Sequence, residues 1–445
     1  MVLRESKRQL HCFKFSMDYP FVYNNIMDES FLNRLSMLGV QIGTDSTTTH
    51  ASPKIDSGIA IEKIIPGKSY STIFGDAFVF EKQYSPDYRH GMIDFNGRID
   101  LTTLLAWSRL PVDPPVQIDE IVFLDTETSG LAGGSGTLVF LVGLGYWKQG
   151  NYHITQVFLR HPAEEAAFLT ALDELITPFR IMVTYNGKSF DAPLLNNRYI
   201  LNGFNNPLKE KHHIDLLSLT RRIWRNRLND RSLGNLEQEI LGLHRSAEEI
   251  PGWMVPQMYF EYLQTQNADP MKGVFYHNEV DIVSLSALFV HLANLLQNPL
   301  EANERQSLDW IAIARLYEEL KDYDRAVQLY EASLKIGLPT HFFIQTLYRF
   351  ASLYRRTGDY DKALVLWMKA VEFNEVEACV EIAKYYEHHQ KSHYQALEWT
   401  ETALKFLNTL PLPRYIKKQK IKELEHRRNR LLQKSGKPHN GISHE

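Results

Sequence analysis

The stretch IVFLDTETSGLAGGSG, residues 121–136, decides the fold. Four apolar residues, Ile121 to Leu124, run straight into Asp125-Thr126-Glu127. An apolar run that short and that pure predicts a buried strand. Side chains alternate along a strand, so Asp125 and Glu127 share one face. Two like charges at a buried strand end repel each other and raise at least one pKa unless a cation meets them. A divalent ion with oxygen ligands fits best, and magnesium or manganese suits carboxylates. The loop that follows carries Gly130, Gly133, Gly134 and Gly136. Glycines leave backbone N–H groups open to close approach, which suits a phosphate. A plain hairpin loop is the alternative.

Around this strand the chain alternates. LVFLVGLGYW (138–147) and YHITQVFL (152–159) predict a hairpin across KQGN. Helix follows at 162–176, strand at 181–187, and helix from Asp191 to a terminal glycine. A short strand at HHIDLLSL, a serine-capped helix over 232–243 and a long helix over 277–296 complete the run. This order predicts an α/β mixed sheet with helices on both faces, over 118–298. Residues 1–115 form a mixed α/β region of unassigned role. It holds a helix over 31–39, a strand pair over 69–85 about a Gly-Asp turn, and a helix near 99–109. Residues 305–410 change character: LYEELKDYDRAVQLYEAS (316–333) and LYRRTGDYDKALVLWMKA (353–370) match at a spacing of 37. A third copy follows over 386–403. Small Ala326, Ala363 and Ala396 at the helix crossings predict stacked, all-α tetratricopeptide-like hairpins. The tail, 411–445, has ten Lys/Arg against three Glu and predicts a basic, solvated helix, with a phosphate-binding face as the alternative.

Composition sets outer limits. With 445 residues, 23% charged and 44% hydrophobic, the chain is an ordinary multidomain globular protein. A net charge of -4 announces no global nucleic-acid affinity, although a local basic surface suffices for that. Cys12 and Cys379 build neither a disulfide framework nor a thiolate zinc site. No apolar run reaches the length of a membrane span, and the amino-terminal segment lacks a secretory core. The expectation is a cytoplasmic protein with no membrane partner.

Two further stretches complete the chemistry. VTYNGKSFDAPLL sets Asp191 just after a second strand, with Asn186 and Lys188 in the turn. YHNEVDIVSL sets His277 and Asp281 at i and i+4, on one face of a helix. FLDTETSGL, YNGKSFDAPLL and HNEVD together resemble the three exonuclease motifs of the DEDD (DnaQ-like) superfamily, which has a ribonuclease-H-like fold. The closer resemblance is to the YprB family, through YRHG (88–91), DTETSGLAGGSGT, TYNGKSFD, RSLGNLE, IPGWMVPQMYF and HNEVDIVSL, followed by tetratricopeptide-like repeats. It spans nearly the whole chain after about residue 30.

That resemblance implies a two-metal 3′→5′ exonuclease in DNA repair, working beside a helicase or another repair protein that the repeats engage. It assigns Asp125, Glu127 and Asp281 to one magnesium or manganese ion. Asp125 and Asp191 would hold a second, and His277 would be the base. In the related His-type enzymes the base stands five residues before the last acid, and in the Tyr-type enzymes a tyrosine stands four before. Here Tyr276 and His277 exchange those places, so Tyr276 is the alternative base. Thr128, Gly130, Gly133, Gly134, Asn186 and Lys188 are the candidate substrate contacts. DNA is the favoured substrate. RNA is the alternative with the same site, and a non-catalytic binding scaffold ranks last because all four acids are present.

Other residues carry plainer expectations. NGKS (186–189) is not a nucleotide-binding P-loop, because Met182 stands where that motif needs glycine. Arg221, Arg222, Arg225, Arg227 and Arg231 surround Trp224, either tracking a strand's phosphates or forming a solvated helix face. Asp215 reads as a helix-start acid, Trp253 and Tyr259 as core, and His90 has no assigned role.

Overall fold

The computed structural model describes residues 58–97, 99–110, 114–130, 136–245, 249–301 and 306–435. The helix expected over 31–39 and two of the candidate substrate contacts, Gly133 and Gly134, lie outside the described residues. The strands are β1 (Lys68–Thr72), β2 (Gly75–Gln83), β3 (Arg89–His90), β4 (Ile93–Asp94), β5 (Ile121–Thr128), β6 (Val139–Lys148), β7 (Asn151–Phe158), β8 (Ile181–Thr184) and β9 (His212–Asp215). Seven of them form one mixed sheet in the order β1-β2-β7-β6-β5-β8-β9, and β3 pairs with β4 apart from it. The pairs β5/β8 and β8/β9 are parallel. The other neighbours run antiparallel.

The apolar run of β5 is buried on both faces, as parallel pairing requires. Ile121 and Phe123 join one apolar cluster, with the long helix Met271–Gln297. Val122 and Leu124 join the other, with the helices Glu165–Ile176 and Asp191–Leu201. The β6–β7 turn is Gln149-Gly150, at φ 52 and 80. Positive φ at both positions matches the twist of a two-residue hairpin.

Three features depart from the sequence-based expectation. First, β1 and β2 extend the main sheet rather than standing in a separate region. Phe78 and Val79 pair with Phe158 and Val157, so the sheet reaches well outside 118–298. The β1–β2 loop is Ile73-Phe74, and the expected turn residues Gly75-Asp76 open β2 instead. Second, the last helix of this region starts at Met271 rather than 277, directly after Pro270. By length and composition it could cross a membrane, but 72% of its most apolar stretch is buried inside the fold. It lies against glycines in β6: a Cβ on Gly143 would stand 2.2 Å from Asn278 Oδ1, and one on Gly145 would stand 2.5 Å from Ile282 Cγ2. The two missing methyl groups let the helix sit close to the sheet.

Third, the repeats share a core with the sheet. Six helices, Ser307–Glu319, Tyr323–Ile336, Thr340–Thr357, Tyr360–Val371, Val376–His388 and His393–Thr409, pack in three consecutive pairs. The recurring polar residue before each second helix is its cap. Asp322 accepts from Arg325 N, Asp359 from Lys362 N and Ser392 from Gln395 N. One apolar cluster runs from Phe123 and Phe289 through Trp224 to Trp310, Tyr330 and Trp367. Trp224 Nε1 and Arg227 Nε donate to Asp309 at 3.2 and 3.1 Å. The basic tail is not a free solvated helix: within Arg414–Ser435, Leu424 and Leu431 are buried, and Arg427, Arg430 and Lys434 meet the buried Glu387.

Candidate active site

Three elements bring the acids together: the end of β5, the start of the helix Asp191–Leu201, and the second and third turns of the helix Met271–Gln297. Asp125 is the residue of β5 that pairs with Gly143. Because position 143 is glycine, Asn278 reaches over β6, and its Nδ2 donates to Asp125 Oδ2 at 3.0 Å. Glu127 is buried, at a register shift between Glu127 and Thr128. Asp191 opens its helix and accepts a hydrogen bond from the Thr126 hydroxyl. That helix is tied down through a buried pair in which Arg198 Nη2 donates to Glu165 Oε2 at 2.6 Å.

Electrostatics identify this as one cluster. Burial raises the pKa of Asp125 well above the carboxylate range, and the charges of Asp281, Asp191 and Glu127 add to it. Burial does the same to Glu127, with help from Asp281 and Asp191. Asp191 is pushed up to about 6 by burial, against the hydrogen bond from Thr126.

Asp281 has a protein cation beside it. Arg245 pairs with Asp281 Oδ1, with Glu249 and, through Nε and Nη2, with the fully buried Glu237. Glu249 Oε1 also lies 3.0 Å from His277 Nδ1. That carboxylate accepts from Nδ1, which orients the ring and sets Nε2 3.6 Å from Asp281 Oδ2. Tyr276 is 48% exposed, outside this cluster.

Among the described residues, no three His, Cys, Asp or Glu side chains already close into a metal-holding shell. The donor chemistry nevertheless fits hard divalent cations. The acids are buried (Glu127, Asp191) or half-buried (Asp125, Asp281), mutually repelling and oxygen-only. Asn278 takes one oxygen of Asp125 and Arg245 one of Asp281, whose second oxygen lies 3.6 Å from His277 Nε2. A pH dependence follows. A buried acid whose folded pKa is raised destabilises the fold as it ionises. Without metal, the Asp191 contribution is harmless below its ordinary value of 3.8 and turns unfavourable as pH rises through about 6. Magnesium or manganese is therefore expected to raise the melting temperature far more at about pH 7.5 than at about pH 5. Scanning calorimetry at both values checks this, and an equal shift at each contradicts it.

The other expected contacts divide. Asn186 lines the cavity that holds Asp125 and Asp281. Its backbone is in the left-handed region at φ 64. Lys188 is exposed on the turn and does not line that cavity. The backbone N–H groups of Asn186 and Lys188 both donate to Asp215, which also caps the next helix at Leu217 N. Thr128 spends its hydroxyl on the Gly130 carbonyl, and the Ser129 hydroxyl accepts from Leu138 N. Both hold the base of the glycine loop. His90 is buried, bonded to Ser284 Oγ at 2.8 Å and Tyr88 at 3.0 Å, and so braces the long helix. Burial lowers its pKa to about 4, keeping it neutral. Tyr259 is core, but Trp253 is 69% exposed, beside Gly252, where a Cβ would stand 3.4 Å from His277 Nε2.

Sequence reasoning missed Arg245, Glu237, Glu249 and Asn278. Asn278 stood beside His277 in plain view, and Arg245 and Glu249 have the i,i+4 spacing of a salt bridge. Nothing local linked Arg245 to Asp281.

Comparison with known proteins agrees with this architecture. Residues 122–293 match the ribonuclease H superfamily. Residues 310–339 and 344–377 each match a tetratricopeptide repeat. Over 348 residues, 75% of this chain and 82% of the relative, the sequence is 32% identical to the uncharacterized protein YprB of Bacillus subtilis (strain 168).

Proposed function

The chain belongs to the YprB family, with a ribonuclease-H-like nuclease domain ahead of tetratricopeptide repeats, and from that premise we propose that it is a metal-dependent 3′→5′ exonuclease acting on DNA in repair. The observation that carries this reading is the cluster of buried Glu127 and Asp191 with half-buried Asp125 and Asp281, His277 standing at its edge. These acids would hold two magnesium or manganese ions, whose positive charge would stabilise an in-line displacement at phosphorus. The chain's own groups do the rest. The Glu249 carboxylate fixes the Nδ1–H tautomer of His277, and Nε2 is the atom that takes a proton from the attacking water. Arg245 holds Asp281 and Glu249 in one fork, so acid and base keep their relative positions.

The test uses 5′-labelled DNA and RNA strands with magnesium or manganese. Stepwise shortening that a 3′-terminal phosphorothioate blocks is the expected result, with DNA degraded faster. No shortening of either strand rejects the proposal, and faster loss of RNA reverses the substrate. The choice of base is tested separately. His277→Ala is expected to slow shortening about 10²- to 10⁴-fold, the usual worth of a positioned base, and Tyr276→Phe to change it little. The opposite pattern transfers the role to Tyr276. For the repeats we propose a protein partner, a helicase in the first instance. Crosslinking of the intact chain to that helicase, lost on charge reversal in the repeat surface, is the expected result.

A further inference from the structure

The five arginines between 221 and 231 do not act as a group. Arg222 pairs with Glu319, and Arg227 with Asp309, so both belong to the contact with the repeats. Arg231 Nη1 donates to the carbonyls of Leu228 and Asn229, while its Nε is buried with no partner among the described residues. Arg221 is different. It is exposed, and no carboxylate or carbonyl among the described residues holds it. It stands one helical turn after Leu217, and both line a cavity of ≈ 490 Å³ whose other walls include Asp125 and Asp281. Asn186, Arg231 and Ser232 also line it. Asp230 lies on the same rim, but its carboxylate is taken by the backbone N–H and hydroxyl of Ser232 at 2.8 Å each.

The cavity thus has an acid wall and a guanidinium wall. Its volume suits a nucleotide-sized ligand rather than a duplex. A polyanionic strand held at the acids through cations brings further phosphates at a fixed repeat, and a free guanidinium across the cavity complements one of them. We propose that Arg221 is a phosphate-binding residue for the single strand, contacting the backbone phosphate next to the one held at the acids. Asn186 and Ser232 lie beside that phosphate as neutral polar neighbours. This rests on the nuclease reading and adds the strand's path to it: across the helix Leu216–Trp224, along its Leu217/Arg221 face.

The experiment measures binding of fluorescein-labelled oligo-dT by anisotropy across a potassium chloride series, with calcium replacing magnesium. Arg221→Ala is expected to weaken binding about fivefold at low salt and to lower the slope of log K against log salt by about 0.7, one phosphate contact on a single strand. Arg221→Lys keeps the slope and recovers part of the affinity. Arg225→Ala removes another exposed charge, one that does not line the cavity, and is expected to leave the slope unchanged. An unchanged slope in Arg221→Ala, or an equal fall in Arg225→Ala, overturns the subsite. If the wild type shortens strands while Arg221→Ala binds normally, the subsite fails and the nuclease reading stands. If binding depends on Arg221 but magnesium and manganese give no hydrolysis, the nuclease reading fails and the subsite stands.

Discussion

Replacing Asp125 with asparagine is expected to cut strand shortening by roughly 10³-fold or more while making the metal-free protein more stable. The loss follows from the several kcal/mol of transition-state stabilisation that correctly held cations supply, each ~1.4 kcal/mol being a factor of ten. The gain follows from burial and from repulsion. Asp125 is raised far above the carboxylate range by its buried setting and by three acidic neighbours, so ionising it in the fold is unfavourable. Asparagine has the same shape and keeps an oxygen for the Asn278 amide, but it carries no charge. The two effects have opposite signs, which separates the loss of a cation ligand from damage to the fold. Strand-shortening rates and metal-free melting temperatures measured on one preparation check both. A stable variant with full activity would remove Asp125 from the mechanism, and a destabilised one would contradict the electrostatic account.

Arg245→Ala is expected to be the most destabilising single change at the site, by about 3–5 kcal/mol, the usual cost of leaving a buried charge without its partner. Glu237 is fully buried, and two nitrogens of Arg245 meet its carboxylate. The same guanidinium also reaches Asp281 and Glu249, so its loss frees the acid and the base together. Activity should fall even at temperatures where the variant stays folded. The double variant Glu237→Leu with Arg245→Met is expected to recover most of the stability, since apolar groups of similar volume replace a buried pair at little cost. It should not recover activity, because the fork that sets Asp281 and Glu249 relative to each other is then gone. Urea denaturation of the two variants decides this. An Arg245→Ala protein as stable as wild type shows that Glu237 finds water or another donor.

The sequence carried the parts whose signals are local. The apolar run into Asp125, the glycine-bearing turn after β6 and the capped repeat helices each announce themselves within a few residues. So do the acids, because two of them sit together on a strand and one shares a helix face with His277. What stayed hidden depends on contacts between distant segments. The pairing of β2 with β7 joins residues about eighty positions apart, and nothing in either strand specifies its neighbour. The fork of Arg245 closes on an acid 36 residues later. Gly143 looks like any strand glycine until the helix above it is placed. Arg221 is one of five similar arginines, and only the folded chain tells that Arg222 and Arg227 are engaged by the repeats and Arg231 by local carbonyls.

The junction between Trp224, Arg227 and Asp309 limits how the molecule can be divided. Composition suggests a cut near residue 300, giving a nuclease half and a repeat half. Such a cut would strip Asp309 from a buried indole and a guanidinium, and would bare the apolar surface that Trp310 covers. A shortened nuclease would then be sticky for reasons unrelated to its chemistry, and its lost activity would be misread as dependence on a partner. Any portion of this chain that keeps that seam closed runs past the sheet and includes at least the helix Ser307–Glu319, which carries Asp309 and Trp310.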